Sequence, residues 1–472
     1  MSGWEAVIGL EVHVQLLTRT KLFCADEVDF AAPPNTRVCP VCLGLPGALP
    51  VLNRRAVELG VRAALGLGCT VQEESTFERK NYFYPDLPKG YQITQLDHPL
   101  AVNGTLEAGG APVRIRRVHL EEDAGRSHHD RFPHRTAVDL NRAGVALIEI
   151  VTEPDLGDAA LARQFLNRLR RLLDHLEVSD CDLEKGHLRV DVNISVRPTG
   201  ATGLSAKTEV KNLNSFANVE RALRFEIARQ TRIREAGGAV ESETLFWDAE
   251  AGTTRSMRSK EELEEYRYFP EPDLPPLRVT HESVARLAAL LPELPAARER
   301  RLRTELKLPA YDADVLVAER AVADYFEAVA RACGDAKVAS NWVMSEVLAW
   351  RNERGPDAGF PMPPERLARL IRLVEDGRIS GRLGRLVFAE AAATDTEPLD
   401  IVDARGWTQV GDAAQLSAWI DAAVAAHDEQ VRRYRSGEDR LFDFFVGRVM
   451  RLSAGRADPQ RLAELLRARL EN

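Results

Sequence analysis

Glu11, His13 and Gln15 alternate with Leu10, Val12, Val14 and Leu16 in the opening stretch EAVIGLEVHVQL, residues 5–16. Side chains in a strand repeat with period two, so the three polar groups share one face and the aliphatics the other. A carboxylate beside an imidazole can hold a cation or move a proton, although a strand with one solvated face carries the same alternation. The arrangement recurs in HLRVDVNISV (187–196), where His187, Arg189, Asp191, Asn193 and Ser195 alternate with Leu188, Val190, Val192, Ile194 and Val196. After the turn-forming RPTGATG, LSAKTEVKNL places Lys207, Glu209 and Lys211 on one face. The two segments predict an antiparallel hairpin with Asp191 and Asn193 opposite Lys207 and Glu209.

Two further segments add to this set. VRIRRVHLEEDAG (113–125) ends in Glu121, Glu122 and Asp123, and VDLNRAGVALIEIVTEPD places Asp139, Asn141 and Arg142 just before a very apolar strand. A merely solvated face would mix Ser, Thr, Lys and Glu. These strands concentrate Glu, Asp, Asn, His, Arg and Lys, a combination suited to oxygen ligation of Mg²⁺ with cations placed for phosphate. There is no GxxxxGK[ST] phosphate loop, no GxGxxG after a strand and no HExxH helix, so a nucleotide site would have to be built from the sheet itself. Cys24, Cys39 and Cys42 form a second group, in which CPVC is a good zinc half-site. A structural zinc needs four ligands, and Asp26 is the candidate fourth; the alternative is a knuckle of buried or free thiols.

The elements that must position these residues can be read more coarsely. A chain of 472 residues exceeds the usual single-domain size. Strand-like runs and a few helices occupy residues 1–290, giving an α+β domain built on an antiparallel sheet, which the Pro-dense YFPEPDLPPL (268–277) closes. From Leu287 to Ala393 apolar residues recur at helical spacing, predicting a helical domain over 291–405. ATDTEPLDIVDARGW (393–407) reads as a linker, and a small helical domain fills 406–472. Beyond Gln430 ten arginines face six acidic residues, although the whole chain carries a net charge of -9, which disfavours a surface wholly devoted to nucleic acid. No apolar run approaches the ~18 residues of a membrane span, and the N-terminus lacks the layout of a secretion signal, so a cytoplasmic protein without membrane partners is expected. The spacing of the six cysteines argues against a disulfide framework.

The wording of several segments is itself distinctive. GLEVHVQL, CPVCLGLPGALPVLN, RKNYFYPDLPKGYQIT, HLEEDAGR, VDLNRAGVALIEIVTEPD, LRVDVNISVRP, KTEVKNLNSFANVERAL and YRYFPEPDLPP closely resemble, in order, the GatB family, the B subunits of aspartyl/glutamyl-tRNA amidotransferases. The tail FFVGRVMRLSAGRADPQRLAELLRARL resembles that family's YqeY-like C-terminal domain.

The resemblance implies a cradle-shaped catalytic domain that uses ATP and Mg²⁺. ATP phosphorylates the side-chain carboxylate of Glu misacylated on tRNA(Gln), or of Asp on tRNA(Asn), and ammonia then displaces phosphate. It further implies an amidase (glutaminase) partner that supplies the ammonia, the family's A protein, and a small tethering protein, its C component. Matched motif by motif, it implies Glu11, His13, Glu121 and Glu122 as metal or ATP-site residues, with Asp191, Asn193, Glu209 and Lys211 completing the pocket. Glu11, His13, Glu122 and Glu209 would be the magnesium ligands, Arg189 and Lys207 would face phosphate, and Lys80, Tyr82 and Lys89 would lie toward the ammonia entry. The chain departs from the family pattern twice: zinc-bearing relatives have FCxC where this chain has FCAD, and its tail has RSGEDRL where relatives are richer in lysine. A tRNA-binding scaffold without chemistry of its own is the competing expectation. The concentration of Glu and Asp on the strand faces weighs against it, because such a platform favours Arg, Lys and aromatics.

Overall fold

The computed structural model describes residues 3–258, 266–355, 358–407 and 412–471. They form two compact units, Met1–Pro295 and Ala296–Asn472. The first is a mixed α+β unit around a nine-stranded sheet whose strands are, in chain order, β1 (Trp4–Gln15), β2 (Thr70–Val71), β3 (Ala101–Ala108), β4 (Ala111–Glu122), β5 (Ala146–Thr152), β6 (Leu188–Pro198), β7 (Thr208–Leu213), β8 (Thr244–Asp248) and β9 (Thr253–Arg258). Their spatial order is β9-β8-β7-β6-β1-β5-β4-β3-β2. Every pairing is antiparallel except β7 with β8. The expected hairpin is present as β6–β7, with Asn193 opposite Glu209 and a bulge between Val190 and Val192.

The period-two patterns decide which face is covered. Ile8, Leu10, Val12 and Val14 of β1, Val118 and Leu120 of β4, Ile148 and Ile150 of β5, and Val190, Val192 and Ile194 of β6 form one buried layer. Helices α1 (Arg54–Gly66), α2 (Ala159–His175) and α3 (Phe216–Glu235) supply the opposing side chains, among them Leu59, Phe165, Leu169, Val219 and Leu223. Each helix starts at a side-chain cap: Asn53 accepts from the Arg55 and Ala56 amides, Asp158 from Leu161 and Ser215 from Asn218. Gly60 lets α1 approach closely, since a Cβ there would lie 2.8 Å from Leu100 Cδ2. The helices leave the odd-numbered face of β1 uncovered, and that face carries Glu11 and His13.

The second unit is helical and holds two separate hydrophobic clusters, one between Leu302 and Val402 and the other between Leu416 and Leu470. The helical spacing read from Leu287 onward is interrupted at its start: the helix His281–Ala289, which belongs to the first unit, ends there, and the next spans Pro295–Thr304. The linker expected at 393–407 is corrected: one helix continues to Thr394 and another spans Pro398–Arg405. Pro398 stands in the first turn of that helix, where no amide hydrogen is needed, and Ile401 and Val402 are buried in the first cluster. Among the described residues no helix is long and apolar enough to cross a membrane.

Candidate functional site

Sheet register assembles the site in rows. Across β6, β1, β5 and β4, Arg189 stands opposite His13, His13 opposite Glu149 and Glu149 opposite His119. In the next row Asp191 faces Glu11, while Val151 separates Glu11 from Arg117. Glu11, His13, Lys80, Glu121, Glu149, Asp191, Asn193, Lys207, Glu209 and Lys211 line one trough of about 520 Å³. His119, Arg117, Tyr266 and Tyr268 complete its walls.

Two clusters divide this trough. In the first, His13 Nε2 lies 3.6 Å from Glu121 Oε1 and 3.5 Å from Glu149 Oε2. His119 Nε2 lies 3.3 Å from the same Glu149 oxygen and 3.8 Å from Glu121 Oε2. In the second, Lys211 Nζ is 2.7 Å from both Asp191 Oδ2 and Glu209 Oε1, and Asn193 Nδ2 donates to Glu11 Oε1 at 2.8 Å. Thr244 Oγ1 donates to Glu209 at 3.1 Å.

Burial and charge tune these groups. Burial pushes the Glu11 carboxyl up, and the neighbouring Glu149 and Glu209 charges push the same way. Burial alone would keep both histidines neutral, but hydrogen bonding and charge from Glu149 outweigh it, raising His13 and bringing His119 to about 9. Glu149, which burial would raise, is instead held well below the carboxylate range by His119 and His13. For Lys211, burial is outweighed by Asp191 and Glu209, so the ammonium is favoured. A face with this many carboxylates and cations suits a divalent ion and a polyphosphate chain together. His13, Glu121 and Glu149 present their ligand atoms within 4.8 Å of one another.

Four expected site residues lie outside this trough. Glu122 follows Glu121 on β4, so strand alternation turns it to the opposite face; there it pairs with Lys89 and accepts from the Ile93 amide at 2.9 Å. Lys89 is therefore engaged with Glu122. Arg189 donates to Asp123 Oδ1 at 2.8 Å, and Gln15 Nε2 donates to the other Asp123 oxygen at the same distance. Tyr82 stacks edge-on against Tyr84 and Tyr266 behind Lys80. Sequence reasoning missed His119 and Glu149. His119 sits two residues before Glu121 in the same alternation, and Glu149 is the one charge in ALIEIVT.

The cysteine group is compact. Cys42 Sγ lies 3.6 Å from Cys24 Sγ, 3.8 Å from Cys39 Sγ and 3.1 Å from Asp26 Oδ2. Thiolates about 2.3 Å from a shared tetrahedral centre are about 3.8 Å apart, so the spacing fits one zinc ion. The hydrogen bond with Cys24 lowers the Cys42 thiol to about 6, whereas the same bond and burial push Cys24 up.

Comparison with known proteins agrees with this architecture. Residues 6–285 match the family model described as the GatB/GatE catalytic domain, and residues 324–470 match one described as the GatB domain. Proteins named as the B subunit of aspartyl/glutamyl-tRNA(Asn/Gln) amidotransferase are similar along their whole length. The one from Myxococcus xanthus (strain DK1622) is 48% identical over 100% of this chain and 99% of its own. Those from Chlorobium phaeobacteroides (strain BS1) and Moorella thermoacetica (strain ATCC 39073) are each 48% identical over 99% of this chain and 100% of theirs. With both family models matched in order and full-length relatives at this identity, the chain belongs to the GatB family.

Proposed function

We propose that this chain is the kinase and transamidase component of a tRNA-dependent amidotransferase, acting in the cytoplasm on Glu-tRNA(Gln), Asp-tRNA(Asn) or both. The observation that carries this is the convergence of Glu11, Glu121, Glu149, Asp191 and Glu209 with His13, Lys80, Lys207 and Lys211 on the one sheet face the helices leave open. A side-chain carboxylate oxygen of the charged amino acid attacks the γ-phosphorus of ATP and ADP leaves. Ammonia then attacks the acyl carbon and phosphate leaves, giving the amide.

His13, Glu121 and Glu149, with Glu11 beside them, would hold the magnesium. Bound Mg²⁺ neutralises charge on the transferring phosphoryl group. Lys207 and Lys211 face the phosphates, and Asp191 and Glu209 aim the Lys211 ammonium. Asn193 orients Glu11 through its amide. His119 keeps Glu149 ionised. Lys80 and Tyr82 stand on the side from which ammonia would come, supplied by a partner amidase that a small third protein tethers to this chain. The Cys24, Asp26, Cys39 and Cys42 set would hold a structural zinc. Residues 1–290 act as the catalytic cradle, 291–405 as a helical connector and 406–472 as a YqeY-like tail that binds tRNA.

Glu11→Gln tests this assignment in a reaction with misacylated tRNA, ATP and free ammonia, without the amidase partner. Amide formation and ATP turnover are expected to fall roughly 10²–10³-fold, the loss typical of a removed charge-stabilising group. Affinity for tRNA should stay the same. Near-normal amidation by the variant would refute the site, and no turnover by the unaltered chain would favour a binding scaffold.

A further inference from the structure

Lys21 is fully buried. A buried ammonium is rare unless paired, because losing its hydration is costly. Among the described residues its Nζ is satisfied by a carbonyl and a sulfur rather than by a carboxylate: it donates to the Arg37 carbonyl at 2.7 Å and to Cys42 Sγ at 3.3 Å. The backbone at this position is fixed on both sides. Lys21 N donates to the Asp26 carbonyl, Leu22 N donates to the Gly144 carbonyl, and Asn53 Nδ2 donates to the Lys21 carbonyl. Gly144 lies against the stem: a Cβ there would be in ordinary van der Waals contact with Lys21 Cδ at 3.5 Å and with Cys42 Sγ at 3.9 Å.

Charge explains the placement. Three thiolates and one carboxylate carry four negative charges, and a divalent ion removes two. The remaining two would sit in a half-buried pocket whose Cys42 is itself buried. An ammonium beside Cys42 removes one more, and its N–H···S bond fixes the direction of that sulfur. Outer-shell partners of this kind commonly set metal affinity.

We propose that Lys21 is the charge-compensating and Cys42-orienting residue of a Cys₃Asp zinc site. This rests on the metal assignment of the cysteine group and not on the nucleotide chemistry. Methionine would fill the same volume without charge or donor, and glutamine would keep a donor without charge.

The test uses the full chain, purified without chelators and kept at one pH. Zinc per chain is measured for the unaltered protein, and zinc affinity by chelator competition for it and for Lys21→Met and Lys21→Gln. The cobalt-loaded forms are compared by their thiolate-to-metal absorption. The unaltered chain should hold close to one zinc. Lys21→Met should weaken zinc binding roughly 10–100-fold and shift the cobalt–thiolate band, with Lys21→Gln between. An affinity within twofold of the unaltered chain in either folded variant overturns the role of Lys21. An unaltered chain that holds no zinc overturns the metal site itself, whatever the variants do. Should Lys21→Met fail to fold, Lys21→Gln decides, because it removes the charge while the side chain keeps an N–H donor one atom shorter.

Discussion

His119 shows how much the site depends on single protonation states. Burial disfavours its imidazolium, but Glu149 and Glu121 overcome this and place it at about 9. A histidine raised above its usual value near 6.5 stabilises the fold fully below that value and loses the contribution as pH climbs through the folded-state value. Glu149 is depressed, so its contribution is present above the ordinary carboxylate range and lost as pH falls. Metal-free protein is therefore expected to be most heat-stable between about pH 5 and 6.5 and to lose stability toward pH 9. Thermal unfolding across that range checks it. His119→Gln should flatten the alkaline limb, and an unchanged limb would show that this imidazole is not protonated in the folded state. At this scale the sequence is readable where alternation is simple. Glu11, His13, Asp191 and Asn193 are visible in their strands, and the HLEED run names its carboxylates without telling Glu121, which enters the trough, from Glu122, which does not. That distinction is a matter of one residue of strand phase.

Among the elements, β1, β5 and β4 matter most because their register makes the His13–Glu149–His119 row. Glu149 is hidden from sequence because its importance lies across the sheet rather than along the strand: Ile148 and Ile150 on either side mark a buried strand and nothing more. Ile148 is completely buried on the helix-covered face. Ile148→Ala is expected to cost about 2–5 kcal/mol, read as a lower denaturant midpoint, because the cavity would open directly beneath that row. A loss near zero would mean that the helices collapse onto the gap. The segment 393–407 misleads for the opposite reason. Its Pro, Thr and Asp look like loop residues, but Pro398 opens a helix, and only the packing of Ile401 and Val402 reveals it.

On the scale of the whole molecule, the candidate site and the arginine-rich tail lie in different units. Within the tail, Arg448 lies 4.9 Å over the Phe444 ring, Arg456 5.8 Å over Trp419 and Arg467 5.1 Å over Phe442. Stacking of this kind holds a guanidinium flat on its ring, where its remaining N–H groups can meet phosphate, although Arg456 Nε already donates to the Ser453 carbonyl at 3.1 Å. A chain ending at residue 406 is expected to keep its affinity for Mg-ATP, measured by calorimetry, while tRNA affinity measured by filter binding falls at least tenfold, the loss of roughly two phosphate contacts at moderate salt. Equal tRNA affinity would return the tail arginines to a solvated helix face.

The central position of β1 has a consequence for how such a chain comes into being. Trp4–Gln15 is synthesised long before its neighbours in the sheet, Ala146–Thr152 and Leu188–Pro198. Glu11 and His13 must wait, unpaired and beside an aliphatic stripe, while most of the catalytic unit is still being made. Pairings across such long stretches of chain form slowly and leave strand edges open in the meantime. Nascent chains stalled before residue 198 should therefore be protease-sensitive within Trp4–Gln15, and the site can close only once strands far along the chain have been made.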